Sequence, residues 1–201
     1  MSKKLLIETH AIKVSPSQLT ENVNRENGNL IVEGILATAE VKNGNGRYYK
    51  KELWDREMEK YDQLVKERRS MGELDHPEST VINLKNVSHI VTGYNWDGDQ
   101  LMGTIEILPT PSGNILKELI KNGITVGVSS RGMGSLEQNG SVMEVQDDFE
   151  LLCWDFVSTP SNPGSFMSVL KEGHQTFTYD YTNVNRIITE ILCSKGSCPV
   201  F

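Results

Sequence analysis

The sequence predicts an α+β fold that is mainly β, an antiparallel β-barrel with peripheral helices, and three observations carry that expectation. Short runs rich in Ile, Val and Leu, bounded by Gly, Asn and Pro, dominate the chain. Helical patterns are inserted between these runs, and no regular β-α-β alternation points to a parallel sheet. The same pattern argues against a Rossmann-type fold. No Gly-x-Gly-x-x-Gly or Walker sequence occurs, and Gly132-Met133-Gly134 is too short a match to count.

Taken in order, Lys3 and Lys4 precede Leu5-Leu6-Ile7, but three apolar residues followed by Glu8 are too few for a signal segment or a membrane span. Asn29 to Lys42 predicts a long strand bent at Gly34, and Asn43-Gly44-Asn45-Gly46 a turn. From Tyr49 to about Arg69 there is no Gly or Pro, and Leu53, Met58, Tyr61, Leu64 and Val65 recur near helical spacing. Val81 to Tyr94 and Leu101 to Leu108 predict a hairpin turning at Trp96-Asp97-Gly98-Asp99. Ser112 is the expected cap of a short helix through Leu116, Leu119 and Ile120, ended by Asn122-Gly123. Ile124 to Ser130 and Val142 to Val157 are the last predicted strands, flanking a turn at Glu137-Gln138-Asn139-Gly140. Val184 to Leu192 has the length of one short helix. The expected division is a domain over residues 1–170 and a C-terminal extension over 171–201 open to processing. Within that domain the first 25 or so residues are expected to be flexible, as chain ends generally are.

Composition narrows the function classes. A net charge of −7 over 201 residues argues against nucleic-acid binding, and Lys66-Glu67-Arg68-Arg69 fits the solvated end of a helix. Three cysteines suit a reducing cytoplasm. Cys153 lies in an apolar run, while Cys193-x4-Cys198 lacks the second ligand pair that a zinc site needs. Neither a cofactor nor a metal is expected. Asp75, His76 and Glu78 are close in sequence, but no further His or Cys joins them as a ligand set.

Two segments carry the chemistry. Gly72-Glu73-Leu74-Asp75-His76-Pro77 supplies an imidazole, held out of helical geometry by Pro77, and Gly127-Val128-Ser129-Ser130-Arg131-Gly132 supplies a hydroxyl. Serine attacks an amide only with a base in hydrogen-bond reach, whatever the sequence separation. Strand alternation places Val126, Val128 and Ser130 on one face and Gly127, Ser129 and Arg131 on the other. Valines mark the core, which turns Ser129 towards the cleft with Arg131 beside it and leaves Ser130 as a buried hydroxyl. A bulge would exchange the two faces.

These motifs, with Val41-Lys42-Asn43-Gly44-Asn45-Gly46-Arg47-Tyr48-Tyr49 and Asp155-Phe156-Val157-Ser158-Thr159-Pro160-Ser161-Asn162-Pro163, resemble the prohead (procapsid maturation) serine proteases of T-even-type tailed phages. The likeness runs from about Asn29 to Met167 and extends more distantly to herpesvirus assemblin. It implies a serine endopeptidase that processes scaffold and capsid proteins inside the prohead, in the host cytoplasm, with no nucleic acid or membrane partner and with a homo-oligomeric state expected. By position His76 matches the family's general base and Ser129 its nucleophile. Asp155 is the expected third member, on a face opposite Trp154 and Phe156, with a strand-end surface carboxylate as the plainer reading. His89 is the rival third member, because assemblin-type enzymes use a second histidine there. The amides of Ser130, Arg131 and Gly132 are oxyanion or substrate-binding candidates, and the Arg131 guanidinium either assists them or anchors a loop.

The family's preference for cleavage after Ile/Leu-x-Glu matches triplets ending at Glu8, Glu21, Glu33, Glu118, Glu172 and Glu190. Glu8, Glu21, Glu172 and Glu190 lie towards the termini, where self-cleavage is expected to reach them. Two other functional classes stay open on residues alone: a non-catalytic β-barrel ring or assembly component of a phage particle, and a metal-dependent hydrolase using Asp75 and His76.

Overall fold

The computed structural model describes residues 3–11, 28–124 and 126–158, all within one compact unit over residues 1–170. Residues 171–201, and the triplets at Glu21, Glu172 and Glu190, lie outside the described residues, as do Cys193, Cys198 and the helix expected over 184–192.

Strands dominate as expected. β1 (Lys4–Ala11), β7 (Gly127–Gly134) and β10 (Glu150–Val157) form one antiparallel sheet in the order β1-β7-β10. β2 (Ile31–Thr38), β6 (Gln100–Ile107), β5 (Val87–Asp97) and β4 (Met71–Glu73) form a second antiparallel sheet in that order. The third sheet holds β3 (Arg47–Tyr48), β9 (Val142–Val145) and β8 (Leu136–Asn139), with β3 parallel to β9. Two helices, α1 (Lys51–Lys66) and α2 (Pro111–Lys121), complete the described residues. The expected barrel is met in its antiparallel strands and inserted helices, while none of the three sheets closes on itself among the described residues.

Helix α1 forms where the periodicity predicts it and buries Leu53, Trp54, Met58 and Tyr61. It stops short of Arg69 because Arg68 turns left-handed at φ 54°, and the Arg69 amide then closes back on the Leu64 carbonyl at 2.7 Å. Trp54 stacks on Trp154 with ring centroids 5.5 Å apart and meets Phe149 edge-on at 5.5 Å. That stack fixes the face of β10. With Trp154 committed to the helix, alternation turns Cys153 and Asp155 to the opposite side of the strand.

Several boundaries differ from expectation for local reasons. The irregularity in β2 falls between Ile35 and Ala37 rather than at Gly34, and Leu36 packs over Gly103, where a Cβ would come 2.4 Å from Leu36 Cδ1. β5 begins at Val87, not Val81, because residues 81–86 are taken up by a turn in which the Asn86 amide donates to the Asn83 carbonyl. Helix α2 is capped by Thr110, whose Oγ1 accepts from the Gly113 amide at 3.0 Å, with Pro111 at the first helical position; Ser112 lies inside the helix. The single strand expected over Val142 to Val157 is two, split at a turn where Asp148 accepts from the Ser135 amide and hydroxyl at 2.8 and 2.7 Å. The predicted turn at residues 137–140 is mostly strand β8, and the reversal sits at Gly140, φ 59°.

β1 and the three-residue β4 are strands the sequence did not announce. Leu6 of β1 is buried, and the Glu8 carboxylate, 1 % exposed, receives Arg47 Nη1 at 2.7 Å, Tyr49 OH at 2.9 Å and Asn45 Nδ2 at 2.9 Å. The turn-prone Asn43–Tyr49 stretch is thus shaped around a buried carboxylate. Glu8, expected to lie within reach of self-cleavage, is instead gripped inside a paired strand, and Glu33 and Glu118 lie in β2 and α2.

Candidate active site

β7 is the central strand of its sheet, and its register sets Ser129 directly opposite Asp155 of β10. Cross-strand partners share a face, so the hydroxyl and the carboxylate project to the same side. Ser130 pairs with Trp154, on the other face. The sheet shifts register only between Leu151 and Cys153, before reaching Asp155, so the parity argument for Ser129 survives at the site.

His76 arrives from the loop after β4. That loop is tied to β10 by a parallel bridge between Leu74 and Phe156, and by the Asp75 amide donating to the Phe156 carbonyl at 2.7 Å. Asp75 holds a left-handed φ of 69°, unusual for a residue with a side chain, and its Oδ1 accepts the His76 amide at 2.9 Å. The outcome is a contiguous line of groups. Ser129 Oγ lies 3.2 Å from His76 Nε2, and His76 Nδ1 lies 2.8 Å from Asp155 Oδ2, close enough for an ion pair though out of line for a strong hydrogen bond. Ser129 and Asp155 are fully buried, and the His76 side chain is 13 % exposed.

Asp155 is not a surface carboxylate. Burial pushes its pKa up, but the His76 ring, the Glu73 amide at 2.9 Å and the Arg131 guanidinium outweigh burial and hold the carboxyl below its usual range. Arg131, also 1 % exposed, spends its guanidinium within the protein. Nε reaches Asp155 Oδ2 at 2.9 Å, Nη2 reaches Glu73 Oε1 at 2.9 Å, and Nη1 donates to the Ser79 carbonyl at 2.8 Å. Of the two roles open to this side chain, loop anchoring is the one its contacts describe. Gly132 lies against the Phe149 ring, where a Cβ would stand 2.5 Å from Cε2.

His89 stands apart from this line. Nε2 donates to the Trp154 carbonyl at 3.0 Å, Nδ1 accepts from the Ser88 hydroxyl at 2.8 Å, and the ring meets Phe156 edge-on at 4.7 Å. Both ring nitrogens are therefore engaged away from His76. Burial lowers His89 to about 4, so between roughly pH 6.5 and 4 the unfolded chain binds a proton that the folded chain refuses. Stability from this group therefore falls on acidification through that window. Denaturant titrations at pH 7.5 and 5 should show the native protein losing about 2 kcal/mol more than a His89→Gln variant; equal losses would mean that His89 is not buried neutral.

Gly72 makes this packing possible. A Cβ there would sit 1.9 Å from the Trp154 carbonyl oxygen and 2.4 Å from His89 Nε2, and the first of these is backbone that cannot swing away. Gly72→Ala is expected to cost about 3 kcal/mol or more and to dislodge β4, which a urea midpoint would report.

Sequence reasoning missed Glu73 and the tie to the Ser79 carbonyl. A signal was present: an arginine beside a candidate nucleophile needs carboxylate partners if buried, and Glu73 stands three residues before His76. Among the described residues no group of three or more His, Cys, Asp or Glu is arranged to hold a metal ion, and no helix is long and apolar enough to cross a membrane.

Comparisons with known proteins bear on the family and the fold. A family model described as "Prohead core protein serine protease" matches residues 6–174. The prohead core protein protease of Enterobacteria phage T4 is 31 % identical over 144 residues, which is 69 % of this chain and 68 % of that protein. The solved structure of the bacteriophage T4 capsid assembly protease superimposes with a TM-score of 0.72 at 28 % identity, over 79 % of this chain and 99 % of that one. A match over most of the chain, a curated relative and a shared mainly β fold converge, and the chain belongs to the prohead core protein serine protease family.

Proposed function

We propose that this chain is a serine endopeptidase of phage head maturation, in which Ser129 is the nucleophile, His76 the general base and Asp155 the group that orients and charges the imidazole. The observation that carries the reading is the unbroken line Ser129 Oγ, His76 Nε2, His76 Nδ1, Asp155 Oδ2, with separations of 3.2 and 2.8 Å at its two contacts.

The chemistry follows from that line. Asp155 favours the tautomer with its proton on Nδ1, leaving the Nε2 lone pair facing the Ser129 hydroxyl. His76 takes the hydroxyl proton as Ser129 attacks the scissile carbonyl, then passes it to the leaving amine; water releases the acyl-enzyme by the reverse relay. The expected oxyanion donors, the amides of Ser130, Arg131 and Gly132, lie in β7 between β1 and β10 and the Arg131 guanidinium is committed elsewhere, so these amides meet an oxyanion only where a neighbouring strand gives way. Because Ser129 is fully buried, a polypeptide reaches it only after its surroundings open.

Substrates are the scaffold and capsid proteins of an immature head, cut after Ile/Leu-x-Glu. Support comes from the T4 relatives, a prohead core protein protease and a capsid assembly protease by name. Self-cleavage is assigned to the triplets ending at Glu21, Glu172 and Glu190, because Glu8 is held in paired strand by donors from residues 45, 47 and 49 and Glu33 and Glu118 lie in β2 and α2. An Ile-x-Glu peptide should be cut by the native protein and not by Ser129→Ala, with no sensitivity to chelator. Cleavage that survives in Ser129→Ala, or that chelator abolishes, would overturn the assignment.

A further inference from the structure

Beneath the candidate triad lies a buried ion cluster that its three members do not explain. Arg131 is shared between two carboxylates, Asp155 and Glu73, each fully buried. Glu73 accepts Arg131 Nη2 at 2.9 Å and the Asn83 amide at 3.1 Å, both on Oε1, while its buried Oε2 has no hydrogen-bond partner among the described residues. By formal charge, two carboxylates against one guanidinium leave the cluster one negative charge in excess before His76 is counted. A buried charge is costly unless something answers it.

We infer that Glu73 is a positioning residue for the proposed protease reaction: it offsets Arg131, so that Asp155 is left free to stabilise the imidazolium that His76 becomes. The inference rests on the triad reading above. Without Glu73, Arg131 would neutralise Asp155, and a proton arriving on His76 would meet a cluster of zero net charge. With Glu73 present, that proton brings the cluster to neutrality at the moment Ser129 loses it. Glu73 also fixes position, since its backbone amide donates to Asp155 Oδ1 and its side chain receives Asn83 from the end of the loop bearing His76.

Other groups facing the cluster do not supply this charge. Cys153 of β10 contacts Arg131 Nη2 at 3.1 Å, and burial raises its pKa so that it stays a neutral thiol. Tyr61 of α1 is likewise pushed well above its ordinary range by burial, and His89 of β5 is neutral at ordinary pH. Asp75 and Glu78, on the His76 loop, are exposed and screened by water.

The test is a charge series read by pH. Glu73→Gln keeps an acceptor for Arg131 and Asn83 and removes only the charge. The acid limb of its kcat/KM profile should move down by about one pH unit, the size expected of a unit charge several ångströms away in a partly desolvated site. kcat at pH 7 should fall tenfold or more with KM little changed. Adding Arg131→Met restores the native net charge, so the acid limb of the double variant should return. Proton NMR titration of His76 in a Ser129→Ala background, with and without Glu73→Gln, reads the same shift without needing catalysis. Loss of the triad reading would appear as cleavage by Ser129→Ala, whereas an unmoved His76 titration in Glu73→Gln overturns the role of Glu73 alone. A limb that moves in Glu73→Gln and stays moved in the double variant would also overturn it, because geometry rather than charge would then be responsible.

Discussion

Replacing Ser129 by alanine is expected to lower kcat by about four to six orders of magnitude, because it removes the atom proposed to form the acyl bond and leaves only binding and oxyanion stabilisation. His76→Ala should do nearly the same, since a serine hydroxyl 3.2 Å from no base is an unactivated alcohol. The two losses should not add: the double variant is expected to match the worse single one, as groups that act as a unit do. Ser130→Ala separates this from a generic effect on the strand. Ser130 pairs with Trp154 on the opposite face of β7, so its loss should cost stability and leave kcat within about tenfold of native. Initial rates on an Ile-x-Glu peptide, with circular dichroism to verify folding, measure all four.

Asp155→Asn is the second large effect, and it should reach both activity and stability. The carboxylate lies in ion-pair distance of the His76 ring and of Arg131 Nε at Oδ2, and accepts from the Glu73 amide and Arg131 Nη2 at Oδ1. An amide of the same shape must point its NH2 at one of those donors, which opposes the tautomer that presents Nε2 to Ser129. A loss in kcat on the order of 10⁴ is expected from the misdirected ring. Arg131 then keeps only Glu73 as a charged partner, and breaking a buried pair in this way costs about 3 kcal/mol. The pH dependence has a defined sign. A carboxyl held below its ordinary range contributes stability above that range and loses it as pH falls through the folded value, so the native protein should lose on strong acidification a contribution that Asp155→Asn never had. Urea unfolding at pH 7 and pH 3 checks this.

What the sequence made legible, it made legible through period. Helix α1 was readable because Leu53, Met58 and Tyr61 recur without an intervening Gly or Pro, and its end was misjudged because nothing in Arg68 announces a left-handed turn. Alternation around Val126 and Val128 favoured Ser129 over Ser130 and put Asp155 opposite Trp154 and Phe156, while the register that sets Ser129 across from Asp155 joins strands some twenty-five residues apart and was not legible. β1 escaped because its apolar run, Leu5-Leu6-Ile7, is short and meets Glu8, which is buried by virtue of Asn43, Asn45, Arg47 and Tyr49 some forty residues away, and no local window contains that compensation. His89 looked as eligible as Asp155 for the same reason. Its partners, the Trp154 carbonyl and the Ser88 hydroxyl, depend on the bare backbone of Gly72 letting two strands approach. Arg131 shows the limit most clearly, since its guanidinium could be assigned to oxyanion or anchor only once Glu73, Asp155 and the Ser79 carbonyl were seen around it.

Reaction with an organophosphorus reagent, mapped by mass spectrometry of the digested protein, tests most directly whether His76 activates the hydroxyl of Ser129. One phosphoryl adduct is predicted, on Ser129, and it should vanish in His76→Ala while persisting in His89→Gln. An adduct on Ser130, or labelling of Ser129 that does not depend on His76, would contradict it.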